Sequence, residues 1–221
     1  GGYTKLSAKE RFMVRSGDVA LYSKFAYKTM EYDAMVSGDY DYNPHIGSVS
    51  DEIYRLESGT IQRESRTESG RKHQRGLYSA LRAFWNRKDN FSFRNLLSYS
   101  RINIPDYSTS GYVSFTSLYP SEIYHTASRS ENNTLGWDSE LFVSWAHGWS
   151  LNGTVHAEYV DNKTATNYTT GTTSITNRAD EGSLYLRGTV QANKSLSETV
   201  TLFSNISSGG GNTRIDYSGS S

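Results

Sequence analysis

From Trp149 to Tyr159 the odd positions are apolar or small (Trp149, Leu151, Gly153, Val155, Ala157, Tyr159), and the even ones are polar (Ser150, Asn152, Thr154, His156, Glu158). A period of two sends alternate side chains to opposite sides of an extended backbone, so this stretch predicts a strand with one apolar and one polar face. The same split recurs over residues 183–193, where Leu184, Leu186, Gly188, Val190 and Ala192 oppose Ser183, Tyr185, Arg187, Thr189, Gln191 and Asn193. Residues 91–100 and 137–145 follow it with exceptions at Asn95, Leu96 and Phe142. Residues 19–29, 32–42 and 77–85 alternate less cleanly and are also read as strands.

Short connections are expected at Thr29-Met30-Glu31, Asn86 to Asn90, Ala146-His147-Gly148 and Asn193-Lys194-Ser195. Between them lie long polar stretches at 43–50, about 103–133 and 161–182, read as loops. Short and long connections therefore alternate, as in an up-and-down meander whose short turns share one end. Residues 112–128 fit either a hairpin on an outer loop or two further wall strands, which gives about 8–10 strands. Pro44, Pro105 and Pro120 fall outside the expected strands, where ladder donors are not lost. The threonine-rich 164–176 stretch is read as a mobile exterior loop.

Tyrosine (17), serine and threonine are abundant while the helix formers alanine, leucine and lysine are scarce, which favours strands over helices. Lys+Arg and Asp+Glu are both 23 with no basic stripe, so nucleic acid is excluded as a partner. Cysteine is absent, which removes disulfides and thiolate metal sites. Mean hydropathy is −0.65, and no run approaches the roughly 18–20 apolar residues of a membrane helix. A transmembrane barrel escapes that test, because only every second residue of its strands meets lipid.

Aromatic placement separates a barrel from a sandwich. Trp145 and Trp149, Trp85 and Phe91, and Tyr27 and Tyr32 flank three of the short turns on the apolar faces. Indole and phenol rings favour a membrane–water boundary, where the ring is apolar and its N–H or O–H still reaches water. Tyr159 and Trp137 would form a second ring. Ten residues from Trp149 to Tyr159 rise roughly 23 Å at a 45° tilt, close to the roughly 25 Å lipid-facing band of such barrels. A soluble, secreted β-sandwich binding glycans is the alternative from another class, but it would put bulky rings mid-strand and polar residues at the ends. A small structural barrel without transport is a third reading.

No catalytic or cofactor site is expected, and the chain is not read as an enzyme. His45, His73, His125, His147 and His156 show no metal-ligand spacing. "DYDYN" (39–43) lacks the glycine and glutamate of a calcium loop and is read as a solvated loop rim. "SGGGN" (208–212) lacks the lysine and following helix of a phosphate loop and is read as flexible polar chain. Asp138 and Glu140 share a strand face, as any polar lumen-facing strand would allow. The opening "GGYTKLSAKERF" has no apolar signal region and the ending closes no strand pattern, so residues 1–221 are expected to be a single segment of a longer protein.

Three stretches carry a family likeness: "FSFRNLLSYSRINIPDYSTSGYVSFTS", "SELFVSWAHGWSLNGTVHAEY" and "LYLRGTVQANKSLSETVTLFSNISS". From about residue 18 the chain resembles part of the β-barrel of TonB-dependent outer-membrane receptors of the Bacteroidetes kind. The resemblance implies an all-β, antiparallel, partial transmembrane barrel within a parent of about 22 strands. It implies nutrient import across a bacterial outer membrane. The partners it implies are outer-membrane lipid, a plug domain and the remaining barrel strands, a TonB-type energy-coupling protein and a surface lipoprotein.

Overall fold

The computed structural model describes residues 1–11, 15–56, 59–87, 90–115, 121–197 and 201–220. They form one ten-stranded antiparallel sheet. The strands are β1 (Gly2–Arg11), β2 (Ser16–Tyr27), β3 (Met30–Asn43), β4 (Ser48–Leu56), β5 (Gly59–Arg87), β6 (Phe91–Phe115), β7 (Glu122–Trp145), β8 (Trp149–Thr170), β9 (Thr173–Ser195) and β10 (Thr201–Ser220). Each pairs with its sequence neighbour except that β3 and β4 share β5, β3 along 72–85 and β4 along 59–67. The expected all-β meander is therefore the observed fold.

Its strands are longer than the hydrophobic alternation. β8 has 22 residues, which at a 45° tilt would rise about 50 Å, twice the roughly 25 Å of an apolar band. The polar stretches read as loops are mostly ladder. β6 and β7 remain paired from Phe91↔Val143 out to Val113↔Glu122, so the described parts of 103–133 are outward extensions of these two wall strands rather than a loop or two extra strands. Residues 116–120, with Pro120, lie outside the described residues.

The 164–176 segment is also paired, from Thr164↔Ala179 to Thr170↔Thr173. Gly171 closes it at φ 54°, which suits a residue without Cβ. Where both faces of a strand meet water the hydropathy period disappears, while β-branched threonine still favours extended backbone. That is why these strands read as loops.

Other expectations are corrected in the same way. Pro105 lies inside β6, but at a bulge between Ile104 and Tyr107 where no ladder donor is required. "DYDYN" belongs to β3 and "SGGGN" to β10, each fully paired rather than a loop. Residues 193–195 continue β9 to its end instead of turning, and the first turn sits one residue earlier than expected, at Lys28-Thr29. Pro44 does lie outside the ladder, in the break between β3 and β4. Residues 88–89 of the Asn86–Asn90 connection lie outside the described residues. The turn at Ala146–Gly148 is as expected; His147 (φ 66°) and Gly148 (φ 72°) reverse the chain so that Trp145 pairs with Trp149.

No second sheet packs on this one among the described residues. Val113 is the one buried apolar residue among them. A two-sheet sandwich core is therefore not what holds the fold; continuous backbone ladders and cross-strand side-chain pairs do.

Candidate functional site

Directly opposed residues of an antiparallel ladder lie on the same face, so the register tests whether the apolar alternations coincide. They do. One row runs Ala34↔Leu81↔Leu97↔Trp137↔Ala157↔Leu186 across β3, β5, β6, β7, β8 and β9. A parallel row nearer the short turns runs Phe93↔Leu141↔Gly153↔Val190↔Ile206. At the other end of the sheet, Leu6↔Leu21↔Val36 continue the same face through β1, β2 and β3.

All eight aromatics singled out in the sequence lie on this face. At the turn end, Tyr27 opposes Met30, Phe25 opposes Tyr32, Trp85 opposes Phe93, and Trp145 opposes Trp149. Trp145 and Trp149 are 50% and 42% exposed, although indole is among the costliest side chains to leave in water. Trp85 and Phe91 meet edge-on at 4.8 Å between ring centres. Lys194 and Lys28 stand over the Trp149 and Tyr27 rings at 5.3 and 5.2 Å, so cations fringe the aromatic row on the turn side.

At the far end, Tyr159 opposes Leu135, which opposes Tyr99. The Tyr99 hydroxyl donates to Asn133 Oδ1 at 3.0 Å, pointing its polar tip away from the apolar band. Trp137 lies two residues closer to the turns than this row, opposite Ala157. The next row out, Arg101↔Asn133↔Asp161, is polar. The apolar band is thus bounded on both sides by aromatics.

Asn95 breaks the alternation for a physical reason: its Oδ1 accepts the Trp137 indole N–H at 3.3 Å, so a polar group within the band is partnered by a band aromatic. Trp137→Phe removes that donor and should cost about 1–2 kcal/mol in a folding titration in lipid. Adding Asn95→Leu should recover most of the loss; no recovery would mean that the indole acts only by size.

The opposite face is an ion-pair ladder. Arg82 pairs with Asp33, which also accepts the Tyr22 hydroxyl at 3.1 Å. Arg94 pairs with Glu140 across β6 and β7. His156 Nδ1 meets Asp138 Oδ1 at 2.7 Å and lies directly opposite Arg187. Asn152, Glu158 and Gln191 share this face. Leu96 and Phe142, the other exceptions in the pattern, also point here, and Phe142 lines an open groove with Phe84, Arg82, Arg94 and Glu140. Among the described residues, no three histidines, aspartates or glutamates gather as a metal site.

No family model matches the chain, and no curated protein does. Among solved structures, the ferric yersiniabactin uptake receptor FyuA of Yersinia pestis aligns over 99% of this chain and 38% of its own, at 10% identity and a TM-score of 0.56. The likeness is one of fold. The siderophore receptor PiuA of Acinetobacter baumannii aligns over 98% of this chain and 44% of its own, at 10% identity and a TM-score of 0.29. The chain therefore spans less than half the length of either receptor.

Arg82 was placed on the polar face by the sequence, but its pairing with Asp33 and a set of outer charges escaped that reading. Asp33 and Arg82 are 49 residues apart in sequence and become neighbours only through the β3–β5 register. Of the charges beyond the band, Glu131, Asp161 and Lys163 fell in stretches read as loops, and Arg101 fell between the strand at 91–100 and the loop that follows it. A signal for them was present: in 161–170 the odd positions hold Asp161 and Lys163 while the even ones hold Thr164, Thr166, Tyr168 and Thr170, a period of two in residue type rather than hydropathy. In this cluster Arg101 pairs with Glu131 at 3.1 Å. The Asn133 amide first, and Arg101 second, hold the Glu131 carboxyl below the usual carboxylate range.

Proposed function

We propose that the chain is part of the wall of a bacterial outer-membrane β-barrel, within a TonB-dependent receptor that imports nutrients. The observation carrying this reading is the continuous, aromatic-bounded apolar face from β1 to β10, which no part of the described chain covers. A soluble protein rarely leaves so large an apolar patch in water. Acyl chains remove its cost, and a ladder that pairs every strand with its neighbours supplies the backbone hydrogen bonds that lipid cannot. The ion-pair ladder then faces the lumen and a plug domain, and the paired hairpins beyond the band rise above the cell surface.

Support for the receptor class comes from the three stretches that resemble Bacteroidetes-type receptors and from the shared fold of an uptake receptor. In this reading the chain performs no chemistry. It supplies wall, lumen surface and outer hairpins, with β1 and β10 pairing to the parent's other strands. Energy comes from a TonB-type protein acting on the plug, and a surface lipoprotein meets the hairpins.

Fractionation tests the location. The protein, expressed in a Gram-negative host, should stay in the outer-membrane pellet through urea washes and leave it only with detergent. Recovery as a monomer in buffer would overturn the location. Nutrient uptake unchanged when the parent gene is deleted would reduce the role to a structural barrel.

A further inference from the structure

Far from the short turns, the sheet is one strand short beside β4. β2 begins at Ser16, opposite Asp41 of β3, and Asp41 pairs with Gln74 of β5. β4 starts at Ser48, opposite Thr67, which lies seven β5 residues farther out. At the rise of an extended chain that is roughly 23 Å beyond the last residue of β3 that β2 covers. β6 holds the other edge of β5 at this level, from Arg63↔Phe115 to Thr67↔Gly111. Among the described residues β4 therefore pairs with β5 alone, and its edge on the β2 side is open. In an antiparallel strand every second residue aims its N–H and C=O away from a given neighbour, so about four residues of Ser48–Leu56 present both groups to this slot.

The side chains along the edge define what it accepts. Val49 and Ile53 are 62% and 64% exposed, and Asp51 stands exposed between them on the same face. Asp51 lies directly opposite Glu64, a like-charge pair that opposes the ladder. Glu52, on the reverse face, is met by Arg63 at 2.8 Å, whereas Asp51 has no cation within ion-pair distance among the described residues. A third strand that set a lysine or arginine beside Asp51 would turn the repulsive pair into a row of alternating charge. Its own apolar residues would cover Val49 and Ile53. A second copy of β4 does not meet that requirement, because antiparallel pairing in full register sets the Glu52 carboxylates of the two copies against each other.

We propose that the open edge of β4 takes up an extended segment of a cell-surface protein as an added strand, with a basic residue of that segment beside Asp51. Main-chain hydrogen bonds supply the affinity, and Val49, Asp51 and Ile53 supply the choice of sequence. The inference goes beyond the outer-membrane wall reading and rests on it only for the outward placement of this end of the sheet. Outside a bilayer water satisfies an open edge, and an acid on that edge disfavours pairing with strands that bring no cation.

The test uses the full-length protein that contains this chain, in detergent at low salt, and reads the anisotropy of a fluorescent, end-capped peptide. The peptide has nine residues of alternating valine and threonine, with lysine in place of the central valine. It should bind the wild type, and the same peptide with a central glutamate should bind about tenfold more weakly. N-methylation of alternate residues removes the donors along one edge of the peptide; it should abolish binding for one of the two alternate sets and spare the other. Asp51→Lys should reverse the preference, gaining the glutamate peptide as it loses the lysine peptide, which a misfolded variant would not do. Intact cells that produce the protein should bind the lysine peptide from the medium. No binding of the lysine peptide to the wild type, indifference to both methylated sets, or a preference unchanged by Asp51→Lys would each overturn the proposal and leave the wall reading intact. Protein dimers that the peptide dissociates would give the edge to a second copy and overturn it as well. Binding to the purified protein but not to intact cells would overturn the outward placement of this end and, with it, the cell-surface partner.

Discussion

Arginine in place of Val155 should lower stability in lipid by about 2–4 kcal/mol, while arginine in place of its neighbour Thr154 should change it by less than about 1 kcal/mol. Val155 lies between Ser139 and Gly188 on the apolar face, midway between the Trp149 and Tyr159 rings. In the outer-membrane wall proposed above, a guanidinium at that depth meets acyl chains, and neither boundary is close enough for the side chain to reach water easily. Thr154 lies between Glu140 and Thr189 on the ion-pair face, where a cation gains a carboxylate neighbour. One residue of displacement reverses the sign of the environment because the side-chain period is two. Equal losses at the two positions in a urea titration in lipid vesicles would remove the distinction on which the face assignment rests.

The second large effect lies on the other face. Asp33 is 8% exposed and held by Arg82 and the Tyr22 hydroxyl. Arg82→Ala strands that carboxylate and should cost about 2–3 kcal/mol, below the roughly 3–5 kcal/mol of a fully buried pair because Arg82 keeps partial contact with water. Combining Arg82→Ala with Asp33→Asn should restore most of the loss, since the stranded charge is gone. A double variant no better than Arg82→Ala alone would show that the arginine acts through packing rather than charge.

Legibility in the sequence followed the solvent contrast across the sheet. Residues 149–159 and 183–193 could be assigned to faces because one side is apolar and the other polar. Residues 103–133 and 161–182 could not, because hydropathy carries no period once both sides are polar; their pairing comes from register propagated outward from the band. β1 and the β4–β5 hairpin were missed for the same reason. The bulge at Pro105 shows the limit of a rule that is locally correct: proline did mark an unpaired position, but within a strand rather than beyond its end. Six of the aromatics were found because they lie beside short turns that the sequence does reveal, and Trp137 and Tyr159 because they sit on the alternating apolar faces. The Asp33–Arg82 pair, joined only by register, had no local signature.

A cysteine scan along β8 addresses the central claim most directly, and the natural absence of cysteine makes each introduced thiol unique. Single cysteines at residues 150–169 of the protein in lipid vesicles would be exposed to a water-soluble maleimide and, separately, to a lipid-soluble quencher after labelling. Odd positions from 151 to 157 should resist the maleimide and be quenched from the lipid phase, even positions should not be quenched from that phase, and from 161 outward the alternation should vanish, with both faces reacting in water. Free aqueous reaction of the odd positions between Trp149 and Tyr159 would contradict the account, because that face would then meet water and not acyl chains.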